Sequence, residues 1–219
     1  MASSTLSLKK QTADYKVVLL GDADVGKTSL LTRYIDGVFK DSITSTIGAS
    51  FTLKRWGDKN IALWDTAGEE RFSGLSSFYC RGAAGALLCF DLTNSKSFEA
   101  LHDRFIPLLE NGTENCVKVV IGTKSDLIAG GSGRRVTERQ AFEFTRTINN
   151  LSTAAPRATV PYYETSSLTG DNIDVAFQKV FATVTEFYPP KNDAAENDTV
   201  DLTVHGGSRN RNNQSPCNC

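Results

Sequence analysis

Residues 21–29 read GDADVGKTS. The stretch ends a short apolar run, YKVVLLG (15–21), and leads into KTSLLTRYIDGVF (27–39), where Leu30, Leu31, Tyr34, Ile35 and Val38 share one helical face. It therefore places the pattern G-x-x-x-x-G-K-[ST] between a strand and a helix, the context that pattern requires. Successive backbone N–H groups of such a turn form an anion-binding concavity, and the helix N-terminus adds to it. Lys27 brings a positive charge to the outer phosphates, and the Thr28 hydroxyl is a hard oxygen ligand suited to Mg²⁺. Gly21, Ala23, Asp24, Val25, Gly26, Lys27, Thr28 and Ser29 are thus a candidate cradle for a nucleoside triphosphate whose base this stretch leaves open.

The flanking sequence repeats the strand–helix alternation. ASFTLKR (49–55) and NIALWDT (60–66) flank WGDK, which reads as a hairpin turn. AGALLCFD (84–91), VKVVIGT (117–123) and VPYYET (160–165) are further apolar strands, with helical segments near 96–110, 137–150 and 171–187. Continuous apolar strands separated by amphipathic helices predict an α/β fold. Its sheet is mostly parallel, covered on both faces, with one antiparallel edge strand from the hairpin. IAGGSGRR (128–135) reads as a flexible loop and 149–161 as a long polar surface connection, neither expected to carry chemistry.

The base is read elsewhere. IGTKSDL (121–127) ends a strand at the carboxyl edge of the sheet, where ligands bind. A carboxylate there, Asp126, can accept from guanine N1–H and the exocyclic amine; adenine would leave that charge unpaired. The alkyl stem of Lys124 can lie over the base, between Thr123 and Leu127. ETSSLTG (164–170) offers backbone N–H groups around Ser166, Ser167 and Leu168 to the guanine O6. WDTAGEERF (64–72) runs an apolar strand into Asp65 and Gly68, an arrangement that often faces a phosphate, and adds Glu69 and Glu70 beside it.

Composition narrows the class. The 219 residues suit one domain and a tail, and the net charge of −1 offers no field for nucleic acid, so no nucleic-acid partner is expected. The first residues lack an apolar signal-peptide core and no run approaches a membrane span, which predicts a cytoplasmic protein. The five cysteines (Cys80, Cys89, Cys116, Cys217 and Cys219) show neither a disulfide pattern nor zinc spacing, and Cys89 reads as core. From residue 189 the composition turns polar and reads as a disordered tail, with residues 1–14 a flexible extension.

With these motifs in place, residues 15–188 resemble a small GTPase of the Ras superfamily. The resemblance implies a P-loop NTPase, small G-protein fold with a six-stranded sheet, and GTP and GDP as ligands. It also implies Mg²⁺ held by Thr28, Thr46 (in STIG) and, through water, Asp65. Gly68 would meet the γ-phosphate and Phe39 would stack on the guanine edge. IGASF (47–51), IALWDTAG, FYCRGA (78–83) and LLCFDLT (87–93) are similar to segments of the Rab family, with Phe51, Trp64 and Tyr79 matching its effector-facing aromatic triad. The ending CNC looks like a CxC prenylation site on Cys217 and Cys219, implying a membrane anchor of two prenyl groups on the cytosolic face of an endomembrane. The tail carries three basic against four acidic residues, so the lipids would carry the anchoring alone. A monomer is expected. The implied partners are an exchange factor, a GTPase-activating protein, an escort protein with its prenyltransferase, a dissociation inhibitor and trafficking effectors.

The chain departs from the family pattern at several positions. Glu69 stands where a glutamine usually orients the attacking water; a carboxylate repels the phosphoryl oxygens and cannot donate to them, so the catalytic assignment of Glu69 beside Lys27 implies slow or altered hydrolysis. Asp24 places a charge in the phosphate loop and predicts faster nucleotide release. Thr123 and Leu168 replace the more usual Asn and Lys without endangering guanine binding. Two other functions are weighed against the switch. A constitutively GTP-loaded adaptor is favoured by Glu69 and Asp24, whereas a P-loop small-molecule kinase lacks an Arg-rich lid segment.

Overall fold

The computed structural model of the chain describes residues 12–68, 78–113, 115–129 and 133–188. Six strands, β1 (Tyr15–Leu20), β2 (Ala49–Trp56), β3 (Lys59–Thr66), β4 (Gly85–Asp91), β5 (Val117–Thr123) and β6 (Tyr162–Glu164), lie in the order β2-β3-β1-β4-β5-β6. All neighbours pair in parallel except β2 with β3. The antiparallel exception has a local cause: Trp56 pairs with Lys59, leaving Gly57 and Asp58 as a two-residue turn, and Gly57 takes a φ of +59°.

Period-two alternation divides the core. Val17 and Leu19 of β1 face one layer, with α1 (Lys27–Asp36) and the C-terminal helix Ile173–Phe187, whose Phe177, Phe181 and Val184 are fully buried. Val18 and Leu20 face the other, with Leu101, Phe105, Leu109 and Ala141. β4 is buried along its whole length, which is why it reads as an unbroken apolar run. Tyr34 of α1 stacks on Phe177 at 4.0 Å between ring centroids, locking two helices that meet over β1.

The helical predictions hold in position and differ at their ends. α1 stops at Asp36 because Gly37 takes φ +71° and returns its N–H to Arg33 O; Val38, placed by periodicity on the buried helical face, is 46% exposed beyond it. The segment expected near 96–110 is three pieces: α2 (Ser95–Ala100), a π-helical turn (Leu101–Phe105) and α3 (Ile106–Gly112). Pro107 explains the break. It has no N–H to give to the carbonyl four residues earlier, and its ring crowds that carbonyl, so the helix widens just before it. Thr137 and Gln140 form a reciprocal capping box that starts α5 (Glu138–Ile148). The C-terminal helix Ile173–Phe187 is α6.

The described parts of the two segments expected to be loops make specific contacts. Ser125–Ala129 forms a short helix, α4, and Arg134 beyond it makes two hydrogen bonds to Glu164 of β6, at 2.8 and 2.6 Å. In the 149–161 connection, residues Arg157–Thr159 form a single 3-10 turn; Arg157 pairs with Glu138 and lies over the Phe142 ring at 5.1 Å. Residues Thr12 and Asp14, placed by sequence in the flexible extension, bond to Asn60. Cys80, Cys89 and Cys116 are free and buried, and burial pushes the Cys89 thiol up to about 12.

Phe177→Ala removes a fully buried ring that stacks on Tyr34. The substitution should lower unfolding free energy by about 3–5 kcal/mol. Urea denaturation of both proteins at one fixed GDP and Mg²⁺ concentration checks this, because bound nucleotide itself raises apparent stability.

Candidate functional site

The five parallel strands all end on one edge of the sheet, and the candidate residues follow those ends. A cavity of about 450 Å³ opens there. It is lined by Ala23, Asp24, Gly26, Lys27, Thr28 and Ser29 after β1, Phe39 and Thr46 before β2, and Gly68 after β3. Thr123, Lys124, Asp126 and Leu127 after β5, and Ser167 and Leu168 after β6, complete it. Gly21, Val25, Asp65 and Ser166 are not on its wall; they lie just behind it and hold the lining groups.

The phosphate-loop geometry follows from space and charge. A Cβ on Gly21 would sit 2.1 Å from the Cys89 carbonyl oxygen, so only glycine lets the loop leave β1 beside β4. Gly26 turns into α1 with φ +93°. Asp24 also takes a left-handed φ, +59°, and is exposed. Lys27 is buried, and its Nζ donates to the carbonyls of Gly21 and Asp22, 2.8 Å each. Burial pulls the Lys27 ammonium below its ordinary pKa, while Asp65, Asp22 and Asp24 oppose that shift.

Beside Lys27 three oxygen-bearing side chains from three segments converge. Thr28 Oγ1 donates to Asp65 Oδ2 at 2.7 Å, and the hydroxyls of Thr28 and Thr46 are 2.8 Å apart. Burial raises the pKa of Asp65, against its hydrogen bonds from the two threonines and the charge of Lys27. Its Oδ1 is buried with no hydrogen-bond partner among the described residues. An orphaned carboxylate oxygen beside two hydroxyls is a donor set of hard oxygens. It suits a small divalent cation that keeps waters and phosphate oxygens as its other ligands.

At the opposite end Asp126 accepts a hydrogen bond from Ser166, and the exposed Leu127, Leu168 and Phe39 rim the opening. Thr123 shows why it can stand in the usual Asn position. Its hydroxyl lies 2.6 Å from Val25 O and 2.9 Å from Phe90 O, tying the phosphate loop to β4 and β5. Lys124, at φ +60°, pairs with Asp91 at 2.7 Å. Burial opposes ionisation of Asp91, but hydrogen bonds from Lys124 and Thr93 hold its carboxyl below its ordinary value.

The aromatic trio is contiguous. Phe51 and Trp64 face each other across β2 and β3 at 5.7 Å, Tyr79 lies 6.0 Å from Trp64, and Lys16 Nζ sits 4.5 Å over the Trp64 ring. Phe51, Phe78 and Ile47 are exposed around them. Glu69, Cys217 and Cys219 lie outside the described residues.

Sequence reasoning missed several residues. Lys40, Asp41, Ile43, Thr44 and Ser45 line the cavity, as their position between Phe39 and Thr46 could have shown. Arg134, Glu164 and Asp91 brace the base end; burial opposes ionisation of Glu164, yet hydrogen bonds from Arg134 and Tyr162 hold its carboxyl low. Arg104 reaches both Asp22 and Gly68 from a helix expected only to pack.

The chain matches the Ras family model over residues 16–186. It is 36% identical to the human Ras-related protein Rab-20, over 88% of this chain and 93% of that protein. It is 35% identical to Ras-related protein RABG3e of Arabidopsis thaliana, over 93% of this chain and 96% of the relative. Identity to Ras-related protein Rab-10 of Caenorhabditis elegans is 34%, over 85% and 88%. The chain therefore belongs to the Rab branch of the Ras family of small GTPases, enzymes that bind GTP and GDP, hydrolyse GTP and regulate membrane trafficking.

Proposed function

We propose that this chain is a Mg²⁺-dependent GTP/GDP switch that recruits effectors to an endomembrane in its GTP form and has slow or altered intrinsic hydrolysis. The convergence of Lys27, the Thr28–Thr46–Asp65 oxygen cluster and the Asp126–Ser166 pair on one cavity carries this reading. Lys27 takes the outer phosphates. Thr28, Thr46 and, through water, Asp65 would hold magnesium, which when bound neutralises charge on the β- and γ-phosphates. Asp126 selects guanine, with the backbone around Ser167 at its O6.

Thr46 and Gly68 belong to two different segments, and both stand at the phosphate end. A γ-phosphate orders both; its loss releases both. Phe51, Trp64 and Tyr79 adjoin these segments and form the surface an effector reads in the ordered state. The general partners are the exchange factor, the activating protein, the dissociation inhibitor and the prenylation machinery. The described residues contain no helix long and apolar enough to cross a membrane. Membrane attachment is assigned to prenyl groups on Cys217 and Cys219 in the tail 189–219, since two lipid chains give stable anchoring and one does not.

Glu69 directly follows Gly68 in sequence and lacks the amide donor of glutamine. Single-turnover hydrolysis of GTP-loaded protein, with and without a Rab-type activating protein, tests the switch. Slow decay alone and fast decay with the activator support it; no decay in either leaves the GTP-loaded adaptor. In the same assay Glu69→Gln should hydrolyse GTP about tenfold faster than the wild type without activator. Equal intrinsic rates would refute the role given to Glu69.

Asp24 combines a left-handed backbone with a carboxylate on the cavity wall. Asp24→Gly relieves that backbone cost and removes a charge that repels phosphate. Release of GDP should slow roughly 3–10-fold. Displacement of fluorescent GDP by excess unlabelled GDP measures it, and an unchanged rate counts against the assignment.

A further inference from the structure

We propose that Arg104 is a positioning residue of the GTPase cycle: it latches Gly68 to the phosphate loop at Asp22 and so holds the wall of the cavity that meets the terminal phosphate. Its Nη1 donates to Asp22 Oδ1 at 3.3 Å and its Nη2 to the Gly68 carbonyl at 3.2 Å. A guanidinium presents its donors in a rigid planar fork, so one side chain can serve two acceptors on two loops at once.

Both acceptors are themselves constrained. Asp22 Oδ1 also takes the Ala23 amide at 2.9 Å, which fixes its direction. Gly68 is pressed onto the same loop, because a Cβ there would lie 2.2 Å from Ala23 N. Arg104 is not part of the cavity lining; it stands behind Gly68 and acts through it.

The helix prepares this reach. Arg104 lies in the π-helical turn Leu101–Phe105 that precedes Pro107, and its guanidinium rests 4.9 Å from the Phe105 ring centroid. Turns of this kind recur at functional sites because they redirect side chains that a regular helix would aim elsewhere. The latch is made in the arrangement where Thr46 has closed onto Thr28 and Asp65. On the proposed reading of the site, that arrangement is the form that holds a γ-phosphate. The Asp22–Arg104 pair is about one-third exposed at each side chain, and pairs of that exposure add little to folding stability. The effect falls on the cycle.

The proposal rests on the reading that Gly68 faces the γ-phosphate. The test compares wild type, R104M, R104K and D22N/R104M in Mg²⁺ buffer. It follows release of fluorescent GDP and of a fluorescent non-hydrolysable GTP analogue, single-turnover GTP hydrolysis and the thermal midpoint. R104M should release the triphosphate analogue about fivefold faster and hydrolyse GTP about tenfold more slowly, with GDP release within about twofold of wild type. R104K, whose single ammonium cannot span both acceptors, should show most of the same loss. D22N/R104M should be no worse than R104M, since the Asp22 charge acts on Gly68 only through Arg104. Equal acceleration of both nucleotides in R104M would mark a merely structural role and overturn the proposal, as would unchanged analogue release and hydrolysis. A wild type that binds neither nucleotide would sink the reading of the site itself. Normal wild-type binding with an unaffected R104M sinks only the latch.

Discussion

A buried ammonium holds the phosphate loop in shape. Lys27 is taken out of water at the start of α1, and an aliphatic side chain there would leave the Gly21 and Asp22 carbonyls without their donor. The carbonyls of Gly21 and Asp22 take two of the ammonium's donors, which bends the loop back over the helix start. That bend is possible only because Gly21 has no Cβ to strike β4 and Gly26 can turn left-handed. The loop thereby becomes a ring around one positive charge.

The other parts of the site are braced against that ring from remote stretches of chain. Thr123 ties it to β5, Asp65 reaches it through Thr28, and Arg104 reaches it through Asp22. At the base end Arg134 holds Glu164, whose carbonyl accepts from Asn172, so the loop carrying Ser166 and Ser167 hangs between β6 and α6. The neighbouring groups are hydrogen-bonded to one another, so a change in one segment is felt in the next. On the proposed reading, this is how two separate segments answer to one phosphate.

Most of this architecture was legible in the sequence, for a definite reason. Strand positions, the hairpin and the layer of each helix follow from local periodicity, and the site residues sit at strand ends, where a short motif carries its own context. The failures are those in which one helix-breaking residue or a partner distant in sequence overrides the local periodicity. Val38 left the buried helical face because Gly37 ended the helix first. The helix near 96–110 broke because Pro107 interferes four residues upstream. Arg134 looked like one of several basic loop residues until β6 brought Glu164 beside it. Arg104 was the least legible of all, since 82 residues separate it from Asp22 and its direction depends on the π-helical turn.

The departures from the family pattern fall at both ends of the cavity. Asp24 lines the cavity beside Lys27, and the proposed Arg104 latch stands behind it; the substitutions Thr123 and Leu168 lie at the other end. Thr123 keeps the bonds that matter through its hydroxyl, and Leu168 sits exposed at the rim. On the proposed reading, selection of guanine and timing of the switch are therefore separable properties of the same pocket. A charge placed beside phosphates alters rates of release and hydrolysis steeply, because the interaction grows as water is excluded. It hardly touches a base bound at the far end by a carboxylate and a serine. On that reading, variation confined to the phosphate end changes how long the switch stays on without changing which nucleotide turns it.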